Sequence, residues 1–423
     1  MKAAEDITSP DPSTRPSPSL AARLRAAWSP AANLRALLAP APSALRPVDG
    51  LRALSILWVM VFHTVKARGG LLVGRFGELP FRVMNRGFMG VDVFFVISGF
   101  LIARLLLREL SATGTLGLRR FYLRRALRIL PAYYLVLALW CAGGAPCDTA
   151  WANLAYVNNF LPHDEQCMEW SWSLAIEEQF YLVFPLVLVL LQRLPRFRLR
   201  LLVGALGAAV AIRWAIVVAH GLHLPGAGRM EHLELLRDTL YVKPHTRYGG
   251  LLCGVIAALL VEERGVLERM RRHPVATNAA LAVALGVVAW LGARLQPVFV
   301  YRWPPLANLA YYAGSGTLFA VAVAVVMLVA LSGAGAGSLL GRALGWRGLY
   351  PIGQLSYSAY LIHVPVVQWG ARHGLIAAPG SLPGLLGALV AATALALCAS
   401  AVVYLLVERP FMNLRPLIER GAR

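Results

Sequence analysis

Apolar runs long enough to cross a membrane recur along almost the whole chain, separated by short polar segments. An α-helix rises about 1.5 Å per residue, so roughly 20 apolar residues span the hydrocarbon core of a bilayer. The runs predict helices near residues 51–66, 88–108, 126–143, 174–194, 200–220, 246–262, 275–295, 309–332, 354–372 and 381–407. We therefore expect an all-α fold, a polytopic transmembrane bundle of about ten helices, in which the first and sixth are the shortest.

The remaining segments suggest the domain organisation. Residues 1–46 are rich in Pro, Ser, Ala and Arg, which predicts a disordered basic cytoplasmic tail. Within it, the pieces LAARLRAAW and NLRALLA have the composition of short basic helices on a membrane surface, although a solvated tail is the favoured interpretation. Residues 47–412 are expected to form the membrane domain, and residues 413–423 a short cytoplasmic tail.

Composition and charge agree with a membrane protein. Hydrophobic residues make up 58% of the chain and charged residues 15%. The formal net charge of +20 could indicate nucleic-acid binding, but the arginines cluster in alternate loops, which is the positive-inside pattern. This pattern predicts both termini in the cytoplasm, a bacterial inner-membrane location and no nucleic-acid partner. One basic loop, from Lys66 to Arg86, falls on the predicted outer side. Either this loop lines a polar site, which is the favoured interpretation, or the topology differs there from the predicted one.

The five cysteines contain no pair at metal-ligand spacing, so no metal site is expected. Cys141, Cys253 and Cys398 are interpreted as packing residues inside the membrane. Cys147 and Cys167 fall in the same predicted outer loop, where an oxidising compartment would permit a disulfide. The sequence leaves open whether these two cysteines are joined.

The first predicted helix, LRALSILWVMVFHTV (51–65), contains Arg52 and His63. Eleven residues make about three helical turns, so both side chains lie on one face, about 16 Å apart. Ionisable residues inside a membrane usually belong to a functional site. The alternative is structural: Arg52 would be a surface anchor and His63 a hydrogen-bond donor between helices.

Two further predicted helices contain carboxylates. Asp92 lies in RGFMGVDVFFVISGFL and needs a partner, such as Arg82, Arg86 or the backbone N–H groups of a helix start. Glu177 and Tyr181 lie four residues apart in WSWSLAIEEQFYLVFP, hence on one helix face. A carboxylate at that depth can orient an imidazole or a substrate hydroxyl, although the helix dipole alone also favours Glu near an N-terminus.

The other candidate residues are basic. In FYLRRALRILP, the side chains of Arg124, Arg125 and Arg128 precede an apolar run and suit a phosphate-bearing ligand, or alternatively act as a positive-inside anchor. Arg247 lies in HTRYGGLLCGV, ahead of a glycine-rich run. His363, in SYSAYLIHVP, is equally well explained by catalysis or by a hydrogen bond between helices.

Taken together, these motifs and the terminal VERP resemble the acyltransferase 3 family of bacterial membrane acyltransferases, over about residues 47–412. The resemblance implies transfer of an acyl group, often acetyl, from cytoplasmic acyl-CoA to a hydroxyl. The acceptor would be a glycan, a lipid-linked sugar or a macrolide-type molecule. Acyl-CoA is then a donor substrate, and no permanently bound cofactor is expected.

The expected roles combine the resemblance with the residue chemistry. The catalytic group consists of His63 as general base with Arg52, Glu177 and Asp92; Arg124, Arg125 and Arg128 bind the donor phosphates; Arg86, Tyr181, Arg247 and His363 bind substrate. A buried His63 stays neutral, as a base must, and Glu177 would set its tautomer. An acyl-histidine intermediate remains an alternative.

Two other classes of function compete with the enzyme. A transporter or flippase of acyl groups or lipid-linked sugars would use a proton relay of His63, Asp92, Glu177 and His363. The arginines at phosphate-binding spacing and the lack of internal repeats favour the enzyme. A scaffold or receptor without chemistry would leave the buried ionisable residues unexplained.

Overall fold

In the computed structural model, the described residues are 19–39, 43, 45–68, 78–224, 229–293, 304–376 and 381–415. They form α-helices with short 3-10 and π segments, and these ranges contain no strand. The α-helices are α1 (Leu20–Ala27), α2 (Pro30–Leu38), α3 (Arg46–Arg68), α4 (Glu78–Asn85), α5 (Gly90–Thr113), α6 (Leu118–Ala142), α7 (Ala150–Leu154), α8 (Trp172–Leu191), α9 (Arg198–Ala219), α10 (Arg229–Leu236), α11 (Pro244–Glu262), α12 (Val266–Arg272), α13 (Pro274–Ala293), α14 (Pro305–Ser332), α15 (Gly337–Leu344), α16 (Leu349–Arg372), α17 (Leu382–Val403) and α18 (Arg409–Asn413).

All ten predicted runs are helical, and the predicted all-α polytopic fold is confirmed. Within the described ranges, nine helices are long and apolar enough to cross a membrane. They are Arg46–Ala67, Gly87–Thr113, Leu118–Ala142, Glu169–Leu191, Arg198–Ala219, Pro244–Glu262, Pro274–Ala293, Pro305–Ser332 and Leu382–Asn413. The run at residues 354–372 corresponds to α16, a 24-residue helix that is not one of these nine. Its polar side chains, among them His363, lower its hydropathy.

Helix α5 is central, and it packs most extensively against α11. Glycines make this close approach possible. A Cβ atom on Gly99 would lie 2.0 Å from the Leu251 carbonyl oxygen, and one on Gly254 would lie 2.0 Å from the Val96 carbonyl oxygen. Only a residue without a side chain permits such contact between backbones. The α5–α11 pair therefore fixes the position of the polar residues that both helices carry.

Residues 20–38 of the N-terminal segment contain two helices, whereas the sequence predicted a disordered tail there. The two amphipathic pieces form α1 and α2, which pack near the C-terminal helices. The Asn33 side chain donates hydrogen bonds to the Ala27 and Leu405 carbonyl oxygens at 3.2 and 3.3 Å, and accepts one from Asn413 at 3.0 Å. These buried polar contacts hold the segment in place. Residues 1–18 of the predicted tail lie outside the described residues.

The disulfide joins a different pair of cysteines from the one that the sequence left open. Cys147 is bonded to Cys141, at the end of α6, rather than to Cys167. The chain reverses at Gly143 and Gly144, and Gly144 has a φ of 82°, so the Cα atoms of the bonded cysteines come within 5.7 Å. Cys167 is a buried free cysteine, and burial raises the pKa of its thiol. Cys141 is therefore not a simple packing residue.

Candidate active site

Two neighbouring cavities hold most of the candidate residues. The first, which we call the Arg52 cavity, has a volume of about 120 Å³ and polar lining residues Arg52, Ser98, Arg125, Arg128, Ser173, Glu177, Glu178, Tyr181, Ser356, Tyr357 and Tyr360. The second, the His63 cavity, has a volume of about 500 Å³ and polar or aromatic lining residues that include His63, Lys66, Arg86, Asp92, His163, Glu169, Trp172, Arg213, Arg237, Tyr241, Arg247, Tyr311 and Tyr360. Val91 and Tyr360 line both cavities, so the two share a wall.

In the Arg52 cavity, Arg52 donates a hydrogen bond to the Ser356 hydroxyl of α16 at 2.9 Å. Tyr181 donates to Glu177 at 3.1 Å, one turn away on α8, as their spacing predicted. The Tyr181 hydroxyl also contacts the Ser98 hydroxyl on α5. The Arg125 guanidinium lies over the Tyr181 ring, 5.1 Å from its centroid. Five helices thus contribute polar side chains to this cavity, around the two cations Arg52 and Arg125.

Two of the three arginines in the α6 motif line this cavity. Arg125 and Arg128 are three residues apart and lie on one helix face. Arg124 is not among the lining residues. The pair in the cavity is therefore Arg125 with Arg128.

In the His63 cavity, His63 is paired with His363 of α16. The His363 Nε2 atom lies 3.2 Å from the His63 Nδ1 atom, and the two ring centroids are 4.7 Å apart. His363 is fully buried. The structure therefore brings together two histidines that are 300 residues apart in the chain.

Hydrogen-bond geometry fixes the tautomers of both neutral rings. The His363 Nδ1 atom lies 2.8 Å from the Tyr360 carbonyl oxygen, which can only accept, so this nitrogen carries the hydrogen and Nε2 accepts. The His63 Nδ1 atom faces that acceptor and also the Val59 carbonyl oxygen at 3.0 Å, so it must donate. The free lone pair of His63 is consequently on Nε2, so this is the nitrogen that can accept a proton from a substrate.

The expected contact between Glu177 and His63 is absent among the described residues. Glu177 lines the Arg52 cavity and accepts from Tyr181, whereas His63 lines the other cavity. The group that orients His63 is His363. Helical spacing placed Glu177 correctly relative to Tyr181, but it could not predict on which side of α5 this carboxylate would lie.

Asp92 has an arginine as partner, one of the kinds of partner that the sequence predicted, but a different arginine from the two it named. It lies in the first turn of α5 and forms an ion pair with Arg247 of α11, at 3.0 Å from Oδ1 to Nη2. Neither Arg82 nor Arg86 is that partner. The Arg247 guanidinium lies 4.9 Å from the Tyr241 ring centroid and 5.4 Å from that of Trp172. This cation is thus held between a carboxylate and aromatic faces.

The basic loop after α3 contributes to the His63 cavity, as its unusual placement suggested. Lys66 and Arg86 both line this cavity. Arg86 is buried and donates to the Tyr311 hydroxyl at 3.0 Å, whereas the Lys66 ammonium lies 3.9 Å from the Glu169 carboxylate. Arg75 lies outside the described residues.

Several lining residues were not predicted. Arg213 is buried in α9 and donates to four backbone carbonyl oxygens, and a lone arginine inside an apolar run was a signal in the sequence. His163 lies 2.7 Å from Glu169 at one wall of the His63 cavity. Tyr360, in the shared wall, bonds to the Ser173 hydroxyl at 2.6 Å. Neither His163 nor Tyr360 stands out from its sequence context.

Comparison with known proteins agrees with this arrangement. A family model described as an acyltransferase domain (Acyl_transf_3) matches residues 46–405, which include every helix that lines the two cavities. The chain belongs to this acyltransferase family. With nine candidate spans among its described residues, this acyltransferase is a multi-pass bacterial membrane protein.

Curated relatives of this acyltransferase are similar over about three quarters of the chain. The peptidoglycan O-acetyltransferase OatA of Listeria monocytogenes is 30% identical over 76% of this chain and 49% of its own length. The putative peptidoglycan O-acetyltransferase YrhL of Bacillus subtilis is 29% identical over 76% and 48%, and the O-acetyltransferase OatA of Staphylococcus aureus 28% over 77% and 51%. The chain thus spans about half the length of these relatives. No solved structure gives a significant match.

Proposed function

We propose that the protein transfers an acetyl group from acetyl-CoA to a carbohydrate hydroxyl, with His63 as general base. The single observation that carries this proposal is the His63–His363 pair, which leaves the His63 Nε2 lone pair available beside a cavity of about 500 Å³. The names of the relatives support a peptidoglycan-like acceptor. Membership of the family supports acyl transfer.

The donor is assigned to the Arg52 cavity. Guanidinium groups bind phosphate through charge-assisted hydrogen bonds, and Arg125 and Arg128 provide two on one helix face. The phosphates of CoA are proposed to bind there, with Arg124 at the adjacent surface. The extended acyl-bearing arm then passes Arg52 toward the wall at Tyr360, which the two cavities share.

The acceptor is assigned to the His63 cavity. His63 Nε2 takes the proton of the acceptor hydroxyl as its oxygen attacks the thioester carbonyl carbon. The tetrahedral intermediate then breaks its carbon–sulfur bond, and the CoA thiolate recovers the proton from the imidazolium. His363 keeps the proton on His63 Nδ1, and the Asp92–Arg247 pair provides a polar wall for the acceptor.

The test is transfer of label from acetyl-CoA by membranes that contain the wild type, His63→Ala or His373→Ala. His373 is a matched control, because it is an exposed histidine at the end of α16 and lines neither cavity. A glycan and lipid extract serves as acceptor, and base-labile label is counted. We expect loss of a general base to lower the rate about 10²- to 10⁴-fold, whereas H373A keeps wild-type activity.

Two results would contradict the proposal. Equal transfer by the wild type and a folded H63A variant would remove His63 from the chemistry. Absence of transfer by a folded wild-type protein would exclude acetyl-CoA as donor to the acceptors in the extract. Size-exclusion chromatography in detergent establishes whether each variant is folded.

A further inference from the structure

The His63 cavity has an excess of positive charge. Among the described residues that line it, five are lysine or arginine (Lys66, Arg86, Arg213, Arg237 and Arg247), and two are carboxylates (Asp92 and Glu169). The Arg52 cavity is closer to balance, with three arginines and two glutamates. Burying cations without anions is costly, so a stable cationic cavity suggests a negatively charged occupant.

The contacts of these cations show how their positive charges are balanced by nearby carboxylates. Arg213 donates to neutral carbonyl oxygens, and Asp92 is the carboxylate that acts on its charge. Asp92 also forms the ion pair with Arg247, whose buried Nε atom has no hydrogen-bond partner among the described residues. Glu169 lies within ion-pair distance of Lys66 and His163 and also acts electrostatically on Arg237. With Arg86 left aside, each of the two carboxylates among the described lining residues is therefore shared by two cations.

Arg237 is the most available member of the set. It is half-buried in the π-helical segment Arg237–Tyr241, and within the described part of the chain it has no carboxylate within ion-pair distance. Charged side chains on one wall favour ligands of opposite charge and raise their local concentration. Arg237 can thus bind an anion that reaches the cavity.

We propose, on the basis of the function above, that the acceptor is an acidic carbohydrate: the molecule that presents its hydroxyl to His63 also carries an anionic group, a carboxylate or a phosphate. Arg237 and the Arg247 Nε–H group contact that anion, while Lys66 attracts it electrostatically. Neutral sugars with the same hydroxyl are weaker acceptors, because Arg237 and the Arg247 Nε–H group then gain no anion.

The test compares acceptors that differ only in charge. Soluble peptidoglycan fragments with free carboxylates are compared with the same fragments after methyl esterification. A polyprenyl-phosphate-linked saccharide is compared with the saccharide released from its phosphate. The wild type is expected to prefer an acidic form by about tenfold or more in kcat/KM, the factor that corresponds to about 1.4 kcal/mol. A preference within the peptidoglycan-fragment pair identifies a carboxylate as the anion. A preference within the saccharide pair identifies a phosphate.

Variants connect the preference to the cavity. Arg237→Gln is expected to reduce the acid-to-neutral ratio toward one, and Arg237→Lys to retain most of it. Lys243→Gln is the matched control: Lys243 follows the same segment but does not line the cavity, and its ammonium donates to the Asn159 and Phe160 carbonyl oxygens at 3.1 Å. This control should keep the wild-type ratio.

The outcomes separate this inference from the proposed function. Equal kcat/KM values for the acidic and neutral forms of both pairs would overturn the inference and leave the acyltransfer proposal intact. A preference that R237Q leaves unchanged would contradict the assignment to this cavity. Failure of the folded wild type to acylate any of the four acceptors would contradict the proposed function itself, and the inference would fall with it.

Discussion

The Arg52 and His63 cavities are built from contacts of different sequence range. In the Arg52 cavity, each of two important residue pairs belongs to a single helix: Glu177 with Tyr181 on α8, and Arg125 with Arg128 on α6. In the His63 cavity, the decisive contacts join distant parts of the chain, such as His63 with His363 and Asp92 with Arg247. Helical spacing is therefore enough to predict part of the Arg52 cavity. The His63 cavity depends instead on how the helices pack against one another.

The cavities also differ in how they balance charge. The small Arg52 cavity sets two glutamates against three arginines, whereas the larger His63 cavity has five cations and two carboxylates. Under the proposed function, the Arg52 cavity binds the donor, whose phosphates contact the arginines of this cavity. The His63 cavity binds the acceptor. The three variants below should affect the two cavities differently, in order of decreasing effect.

The largest effect is expected for Gly254→Ala, which should disrupt the His63 cavity. The new methyl group would meet the Val96 carbonyl oxygen and force α11 away from α5, separating Arg247 from Asp92. We expect a loss of about 1–3 kcal/mol or more of stability together with loss of transfer, since overpacking a tight contact costs at least that much. Thermal melting in detergent measures the first and label transfer the second.

Gly207→Ala is the control for this variant. Gly207 lies in α9, where a Cβ atom would meet no heavy atom within 4 Å. Alanine also favours a helix over glycine, so G207A should be neutral or slightly stabilising. If G254A had the same melting temperature and the same transfer activity as G207A, the glycine contact between α5 and α11 would not control the His63 cavity.

The double variant Arg125→Gln/Arg128→Gln should affect the donor side alone. Charge-assisted hydrogen bonds contribute about 1.5–3 kcal/mol each, so loss of both should raise KM for acetyl-CoA about 100-fold or more. KM for the acceptor should change little, because these arginines do not line the His63 cavity. Initial rates at varied donor and acceptor concentrations measure both constants.

Arg119→Gln provides the comparison on the same helix. Arg119 is an exposed residue of α6 that lies outside both cavities, and its loss should leave both KM values at the wild-type level. An increase in the acceptor KM of the double variant, without one for the donor, would reverse our assignment of the two cavities.

The smallest effect is expected for His363→Phe, which tests how the His63 tautomer is set. Removing the acceptor nitrogen of His363 should lower kcat about two- to tenfold, the range of one ordinary hydrogen bond, with both KM values unchanged. His363→Gln retains an acceptor oxygen and should restore part of the loss. A change in KM rather than kcat, or no recovery with glutamine, would indicate that His363 only fills space.

Comparison of sequence and structure shows where prediction succeeded. Apolar runs located all ten long helices, because the bilayer and the helix rise fix the length of a span. Helical period placed Glu177 beside Tyr181, and the cost of buried charge correctly marked Asp92 as a residue that needs a partner. The charge pattern also indicated that the basic loop carrying Lys66 and Arg86 lines a polar site.

The remaining differences concern contacts between elements. For Asp92 the sequence named Arg82, Arg86 or backbone N–H groups, yet Arg247 is the arginine that the α5–α11 glycine contact brings into range. The sequence left open a bond between Cys147 and Cys167, whereas the turn at Gly144 returns the chain to Cys141. Sequence spacing carries no information about such distances.

The sequence by itself therefore determined the helices, their membrane-spanning character, the family motifs and the candidate side chains. These properties follow from hydropathy and the helical period, which act over a few turns. Only the tertiary structure decided that His63 pairs with His363, that Glu177 belongs to the other cavity and that positive charge accumulates beside His63. Those contacts depend on which helix faces approach one another, and small residues at helix crossings fix that choice.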